Sequence, residues 1–341
     1  MSHILVVAPN WIGDALMCQP LLARLRERNP GRSIDVLAPR SMAALFSRMP
    51  EVRETIATDF AHGALQWRAR RRLARELRAR GYAQAYVLPN SWKSALVPYL
   101  ARIPQRIGYV GEARYGLLNL RHRAPKGRGE REPMALHYAR LAEPPGGEPA
   151  TPLPEPRLRI DREAALRTAR RFGFADAPGR NAVLCPGAEY GPAKRWPAEH
   201  YGRLAAALGE RGWAVWLLGA RVDAQPCEDV VRAGGGRATS LAGRTSLDEA
   251  IELIGQADLV VSNDSGLMHI AAALQVPQVA IFGSSSPLHT PPLSARAKVL
   301  WLRLECSPCF ERECPLGHLR CLRDIAPERV LQEIGGLGVL T

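Results

Sequence analysis

Residues 258–282 decide the fold of this chain, and they read DLVVSNDSGLMHIAAALQVPQVAIF. The segments Asp258–Ser262 and Gln278–Phe282 are short apolar runs rich in Val and Ile, the pattern of buried parallel strands. Between them, Leu267–Leu274 has the composition of a helix. A strand, a helix and a second strand in this order predict a right-handed crossover in a parallel α/β sheet.

The same alternation continues on both sides of this stretch. Further strands are predicted at His3–Ala8, Ser33–Ala38, Ala85–Pro89, Ala182–Cys185 and Ala214–Leu218, and further helices at Leu73–Arg80, Ala198–Arg211 and Leu247–Gln256. The Pro- and Gly-rich segment Glu143–Pro156 suits neither helix nor central strand, so it separates two halves. We therefore predict an α/β protein of two Rossmann-like, doubly wound parallel-sheet domains that face each other across a cleft. Their predicted bounds are residues 1–155 and 156–323, and a terminal helix within 324–341 is expected to pack back on the first domain.

The composition is that of an ordinary globular protein. The 341 residues are 46% hydrophobic and 23% charged, and this length suits about two domains. No apolar run approaches the roughly 20 residues that span a bilayer, and the N-terminus lacks the features of a signal peptide, so we expect a cytoplasmic protein. The net charge of +13 favours anionic partners such as nucleotides, nucleic acid or a phosphate-bearing membrane surface. A bias of codon usage towards arginine is the alternative explanation.

Standard signatures of several enzyme classes are absent from the sequence. No G-x-G-x-x-G motif follows a strand, which argues against a dinucleotide enzyme, and no P-loop, H-E-x-x-H or G-x-S-x-G motif occurs. There is also no D-x-D pair of the kind that holds a metal ion under a sugar nucleotide.

A first candidate site, PNWIGDAL at residues 9–16, follows the first predicted strand. In an open α/β sheet, ligands bind beyond the carboxyl ends of the strands. Gly13 permits a tight turn or a close approach of substrate. Asp14 has two interpretations: a cap that accepts hydrogen bonds from the first helical N–H groups, or a general base that takes a proton from a hydroxyl.

A second candidate site, CPGAEYGPAKRWP at residues 185–197, connects a strand to a helix. Its Gly and Pro residues make a shaped loop that carries Lys194 and Arg195. A cation at this position could neutralise a leaving phosphate. The alternative is a solvated loop with an exposed pair of charges.

A third candidate site lies within the stretch quoted first. The N–H groups of Ser265, Gly266 and Leu267 are expected to point at an anion, and the helix dipole adds to the attraction. His269 follows one turn later and could face the same ligand. This predicts a diphosphate cradle. The alternative is that Asp264 or Ser265 is a plain helix cap and His269 a core histidine.

The seven cysteines are an odd number and do not suggest a disulfide framework. Cys306, Cys309, Cys314 and Cys321 lie close together in sequence, with His318 between the last two, and could hold a structural zinc ion. The spacing of the second pair is wide for a zinc site, so buried free thiols and oxidation-prone pairs are the alternatives.

An arginine-rich segment, residues 67–80, is predicted to be a helix that buries Leu73 and Leu77. Its remaining surface is cationic. It is either a solvated face or a surface that docks on anionic lipid or phosphorylated glycolipid.

Three of these motifs resemble glycosyltransferase family 9, the ADP-heptose:lipopolysaccharide heptosyltransferases. They are NWIGD at 10–14, CPGAEYGPAKRWP at 185–197 and NDSGLMH at 263–269, and the stretch at 304–309 is similar to the family too. The resemblance covers nearly the whole chain and implies a GT-B fold. It also implies an inverting transfer of L-glycero-D-manno-heptose from ADP-heptose to the first heptose of a heptosyl-Kdo2-lipid A acceptor.

The resemblance also implies roles for individual residues. Asp14 corresponds to the base, Lys194 to the phosphate-binding lysine, and Asp223 or Glu228 to the ribose-binding carboxylate. The nucleotide cradle comprises Asp264, Ser265, Gly266, Leu267 and His269, and the acceptor-side candidates are Asn10, Trp11 and Gly13. No cofactor and no active-site metal are implied. The expected partners are the donor, the acceptor and, peripherally, the cytoplasmic face of the inner membrane, but not nucleic acid.

Three alternatives compete with this interpretation. The first is a member of the same family that uses a different acceptor. The second is a basic module that binds anions or nucleic acid through the arginine-rich segment, for which salt-dependent DNA binding is expected. The third is a sugar-nucleotide epimerase, which the missing dinucleotide fingerprint disfavours.

Overall fold

The computed structural model describes residues 3–61, 63–125, 131–177 and 179–340. The chain divides into two compact units, Met1–Pro156 and Arg157–Thr341. The boundary predicted from the sequence is residue 155. Glu143–Pro156, the predicted separator, contains neither helix nor strand.

The first unit is built on a parallel sheet whose described strands follow the order β3-β2-β1-β4-β5-β6. The strands are β1 (His3–Val7), β2 (Ile34–Pro39), β3 (Val52–Thr58), β4 (Tyr82–Val87), β5 (Gln105–Tyr109) and β6 (Leu120–His122). The helices are α1 (Ile12–Met17), α2 (Gln19–Arg28), α3 (Ala43–Ser47), α4 (Trp67–Arg78), α5 (Trp92–Leu100) and α6 (Met134–Ala139). The winding reverses between β1 and β4, and loops on the two sides of such a switch point diverge to leave a ligand crevice.

The second unit repeats this plan, with strand order β12-β11-β10-β7-β8-β9 among its described residues. The strands are β7 (Asn181–Cys185), β8 (Ala214–Leu217), β9 (Ala238–Ser240), β10 (Leu259–Asn263), β11 (Gln278–Phe282) and β12 (Ala297–Trp301). The helices are α7 (Arg162–Arg171), α8 (Ala198–Gly209), α9 (Ala224–Ala233), α10 (Leu247–Ile254), α11 (Gly266–Ala273), α12 (Arg320–Arg323) and α13 (Pro327–Gly335). Here the switch point lies between β7 and β10. Both sheets therefore confirm the predicted doubly wound α/β class.

The terminal helix α13 differs from the expectation that it packs on the first domain. Its buried Val330 and Ile334 belong to the core of the second unit, where α13 lies against α8 and β11. The amphipathic pattern identified the helix and its buried face but carried no information on which domain covers that face.

Within the described ranges, no helix has both the length and the apolar composition needed to cross a bilayer.

Candidate functional site

The candidate motifs fall on the two switch points. In the second unit, the loop at 186–197 follows β7 and the turn at 264–265 follows β10, the two strands between which the winding reverses. In the first unit, the loop at 8–11 follows β1, which also borders a reversal. Each unit thus presents a predicted motif where its topology opens a ligand crevice.

Lys194 and Asp264 form a close ion pair in the second unit. The distance from Lys194 Nζ to Asp264 Oδ2 is 2.5 Å, and the two side chains are 17% and 5% exposed. The hydroxyl of Thr290, a residue outside every predicted motif, lies 3.5 Å from Asp264 Oδ1. The pair brings together two predicted residues that are 70 positions apart in sequence.

The start of α11 has the form expected of an anion-binding turn. Ser265 occupies the N-cap position, and its side chain makes no capping hydrogen bond. The carboxylate of Asp264 is paired with Lys194. The plain-cap interpretation is therefore wrong for Ser265, and the first-turn amides of Gly266 and Leu267, which lack intrahelical partners, lie at the end of α11 where an anion is favoured.

His269 is a buried residue beside this pair. Burial lowers its pKa to about 4; the charge of Asp264 acts in the opposite direction, while that of Lys194 lowers the pKa further. The imidazole is therefore neutral at pH 7. It lies close enough to Asp264 and Lys194 to interact with both charges. His269 is therefore a core histidine and also a neighbour of the candidate site.

Asn263, which the sequence analysis assigned no role, fastens the two loops to each other. Its Oδ1 accepts hydrogen bonds from Trp196 N (3.0 Å) and Tyr201 Oη (3.1 Å), and its Nδ2 donates to Pro186 O (2.8 Å). The side chain is fully buried. It therefore ties both ends of the lysine loop to the end of β10.

Asp223 and Glu228, the two ribose candidates, have different surroundings. Asp223 is buried and its Oδ2 accepts a hydrogen bond from Ala220 N (3.0 Å), while Oδ1 has no partner among the described residues. Glu228 is exposed on α9. Two glycines pack directly against Asp223. A Cβ added to Gly187 would lie 2.2 Å from Asp223 Cγ, and one added to Gly219 would lie 2.7 Å from Asp223 Cβ. Asp223 thus has the enclosed setting of a ligand-binding carboxylate.

Asp14 lies in the first turn of α1 and is not its cap. The N-cap is Trp11, whose side chain makes no capping hydrogen bond. Asp14 is half-buried, and its carboxylate accepts a hydrogen bond from Tyr138, whose pKa is raised by burial and by this carboxylate. Asn10 and Trp11 are exposed, and Gly13 is half-buried. The capping interpretation is wrong here, and Asp14 is held by a residue far away in sequence.

The other side of this switch point carries groups that no sequence motif had singled out. The loop after β4 leads to Trp92, the first residue of α5, whose side chain is exposed like that of Trp11. The buried Arg114 fixes this loop by donating to Pro89 O (2.7 Å) and Asn90 Oδ1 (2.8 Å). The sequence did contain a signal, because Asn and Trp follow the end of β4 much as they follow the end of β1.

The four clustered cysteines line one cavity of about 20 Å³, together with Ser284 and His318. All four cysteines are free thiols. Hydrogen bonds from backbone N–H groups, chiefly that of Leu319, lower the pKa of Cys314, whereas burial raises that of Cys321 to about 11. As arranged in the described part of the chain, no three His, Cys, Asp or Glu side chains form a metal-binding group.

The arginine-rich segment forms α4, as predicted, but one of its arginines is structural. Arg70 is buried, with its guanidinium 4.1 Å from the ring centroid of Phe60, and it donates to Leu65 O (2.7 Å) and Lys93 O (3.0 Å). The exposed arginines of the helix are Arg68, Arg71, Arg72, Arg75 and Arg78.

Comparison with known proteins gives one consistent result. Residues 70–320 match the model of glycosyltransferase family 9 (heptosyltransferase). Lipopolysaccharide heptosyltransferase 2 of Escherichia coli K12 is 43% identical, over 98% of this chain and 98% of its own, and lipooligosaccharide heptosyltransferase 2 of Haemophilus influenzae is 39% identical, over 98% and 99%. The solved structure of E. coli ADP-heptose lps heptosyltransferase II superposes with a TM-score of 0.86 at 41% identity, over 99% of this chain and 98% of the other.

Proposed function

The chain belongs to glycosyltransferase family 9, and on that premise we propose that it transfers a heptose from ADP-heptose to the first heptose of the lipopolysaccharide inner core. The observation that supports this most directly is the Lys194–Asp264 pair beside the start of α11, where the N-cap side chain makes no capping hydrogen bond. A half-buried cation and the first-turn amide groups of a helix at a switch point are suited to a diphosphate.

The leaving group determines the roles in the second unit. As the bond from the anomeric carbon to ADP breaks, negative charge develops on the diphosphate. Lys194 and the amides of Gly266 and Leu267 stabilise this charge. Asp264 holds the lysine side chain in place until the donor binds, and the neutral His269 adds no charge of its own. These groups allow departure of ADP without assigning a step to a metal ion.

The nucleoside end of the donor is assigned to Asp223. A ribose carries two adjacent hydroxyls, and a carboxylate oxygen without a partner is a suitable acceptor for them. Asp223 Oδ1 is such an oxygen, whereas the exposed Glu228 is not enclosed.

The acceptor is assigned to the first unit. Inversion requires in-line attack by an acceptor hydroxyl, and a general base that removes its proton assists the attack. We propose Asp14 as this base. Its neighbours Asn10, Trp11 and Gly13, together with Trp92 across the switch point, are proposed to contact the acceptor sugar.

One experiment tests the activity and the acceptor together. The purified protein is incubated with ADP-heptose and, separately, with Kdo2-lipid A, its mono-heptosylated form and its di-heptosylated form. We expect ADP release and a mass gain of one heptose with the mono-heptosylated acceptor. Preference for either other acceptor would assign the chain to a different step of the same family, and no transfer to any of them would contradict the proposal.

The exposed arginines of α4 are proposed to bring the enzyme to the cytoplasmic face of the inner membrane, where the acceptor is anionic. Arginines near an anionic surface each contribute about 1 kcal/mol. We expect co-sedimentation with vesicles that contain phosphatidylglycerol but not with pure phosphatidylcholine, and loss of binding when Arg71, Arg72 and Arg75 are changed to Gln. Equal binding of the triple variant would contradict this role.

The cysteine cavity, which Ala193 of the lysine loop also lines, is proposed as a structural zinc site with no direct role in the transfer chemistry. Four thiols line one cavity, and backbone N–H groups already surround Cys314, which suits a thiolate ligand. Binding requires the thiol side chains to rotate towards a common point. We expect about one zinc per chain by elemental analysis, loss of it in Cys309→Ser, and retention in the control Cys227→Ser, a buried thiol elsewhere in the unit. A metal-free, fully active wild-type preparation would contradict the site.

A further inference from the structure

Tyr190 lies against two cations in the loop that carries Lys194. Lys194 Nζ is 5.1 Å from the centroid of its ring and Arg312 Cζ is 5.3 Å from it. Both distances are within the ~6 Å at which a cation is attracted to the face of an aromatic ring. Tyr190 belongs to the motif at residues 185–197, but the sequence alone indicates no role for it.

Tyr190 is fixed by a distant segment, Phe310–Arg312. The Tyr190 hydroxyl donates a hydrogen bond to Phe310 O (2.6 Å), and Ala193 N donates one to Arg312 O (3.0 Å). A Cβ at Gly191 would lie 2.5 Å from that same Arg312 oxygen, so the backbones meet too closely for a side chain there. The loop on which Lys194 stands is therefore fastened on both sides of Gly191.

We propose that Tyr190 is a positioning residue for Lys194, holding the lysine ammonium at the diphosphate site. This rests on the proposed function, in which Lys194 binds the leaving ADP. In the structure Asp264 pairs with the ammonium group at 2.5 Å, and a donor phosphate would compete with that carboxylate. The ring attracts the cation but carries no net charge, so it keeps the ammonium in place without neutralising it against phosphate.

Kinetics test the role of the ring. We expect Tyr190→Leu to lower kcat roughly 2- to 30-fold, the range spanned by a cation–π contact, with the acceptor KM unchanged. Tyr190→Phe keeps the ring and should retain most of the activity. Tyr99→Leu is the matched control, because the exposed Tyr99 also lies beneath an arginine, with Arg106 Cζ 5.6 Å from its ring, but far from the lysine loop in sequence.

A second readout does not depend on turnover. The chain has only four lysines, Lys93, Lys126, Lys194 and Lys298, so a protein reductively methylated with ¹³C gives a simple methyl spectrum. Methylation keeps the charge of the amine. The Lys194 signal is identified by its absence in Lys194→Arg. We expect a ring-current shift of this signal in the wild type and in Tyr190→Phe, and its loss in Tyr190→Leu.

The outcomes separate this inference from the proposed function. A ring-current shift of the Lys194 signal in the wild type and in Tyr190→Phe supports the contact between ring and ammonium on which the positioning role depends, even if the wild type transfers no heptose, a result that would count against the proposed function alone. Wild-type transfer together with an unchanged kcat and an unchanged Lys194 signal in Tyr190→Leu would overturn the positioning role. A fall in kcat that merely follows a lost folded fraction, measured by thermal unfolding, would overturn it as well.

Discussion

The two units share one strand order but differ in how far the side chains at their switch points are exposed. In the second unit the charged and polar groups are enclosed: Asn263 is fully buried, and Asp264 and His269 nearly so. In the first unit Trp11 and Trp92 are 50% and 38% exposed. On the proposed function, the donor half is built in advance for a ligand of fixed shape, whereas the acceptor half presents open aromatic faces to a larger sugar chain.

The largest effect is expected in the open half, at Asp14. Asp14→Asn removes the proposed base and should lower kcat by about 10²- to 10⁴-fold while ADP binding stays unchanged. Steady-state kinetics and calorimetry with ADP measure the two quantities. Glu76→Gln, at an exposed carboxylate on α4, is the control and should be fully active. A near-normal kcat in Asp14→Asn would remove Asp14 from the mechanism.

The enclosed half should respond differently at Lys194. Lys194→Ala is expected to lower kcat by about 10²- to 10³-fold, comparable to removal of an oxyanion donor, and also to weaken ADP binding. Lys298→Ala, at an exposed lysine of β12, should change neither. If only the KM for ADP-heptose rises in Lys194→Ala, the lysine orients the donor and does not stabilise the leaving group.

Burial in the second unit should be visible as acid sensitivity. The pKa of His269 is lowered from 6.5 to about 4 in the folded state. As the pH falls below 6.5, the unfolded chain therefore takes up the proton first. The contribution of the neutral His269 to the free energy of unfolding is fully present above pH 6.5 and is lost as the pH falls towards 4. The loss amounts to up to about 3 kcal/mol, because one pKa unit corresponds to about 1.4 kcal/mol. Urea unfolding of His269→Gln should show a shallower loss over this range; equal slopes for variant and wild type would contradict the assignment.

The smallest effect is expected from a test of how tightly Asp223 is packed in the second unit. Gly187→Ala places a Cβ within 2.2 Å of Asp223 Cγ, so we expect a loss of about 1–3 kcal/mol in unfolding free energy and a higher KM for ADP-heptose. Gly209→Ala is the control, because its added Cβ would meet Arg237 at 3.6 Å, an ordinary contact. Indistinguishable stability and KM for the two variants would show that Asp223 is not tightly enclosed.

The central strands were predictable because they are buried on both faces. β1, β7, β10 and β11 are nearly continuous apolar runs. The missed β3 mixes exposed Arg and Glu with partly buried residues, and such an edge strand has no pattern distinct from a loop.

The candidate site was predictable only in part, for a related reason. Lys194 and Asp264 each follow a predicted strand, which is enough to place them at one edge of a sheet. Their pairing depends on which strands become neighbours, and the local sequence does not specify that. The enclosure of Asp223 by Gly187 and Gly219, and the hydrogen bond from Tyr138 to Asp14, likewise arise only after folding.

The buried amide of Asn263 also bears on the chemical ageing of this protein. Deamidation would replace its Nδ2 by an oxygen, which would then face the carbonyl oxygens of Pro186 (2.8 Å) and Gly187 (3.3 Å). Two attractive contacts would become repulsive without any change in the size of the side chain. A molecule altered at this one atom would keep its core but release the lysine loop, so old preparations should lose donor binding before they lose their fold.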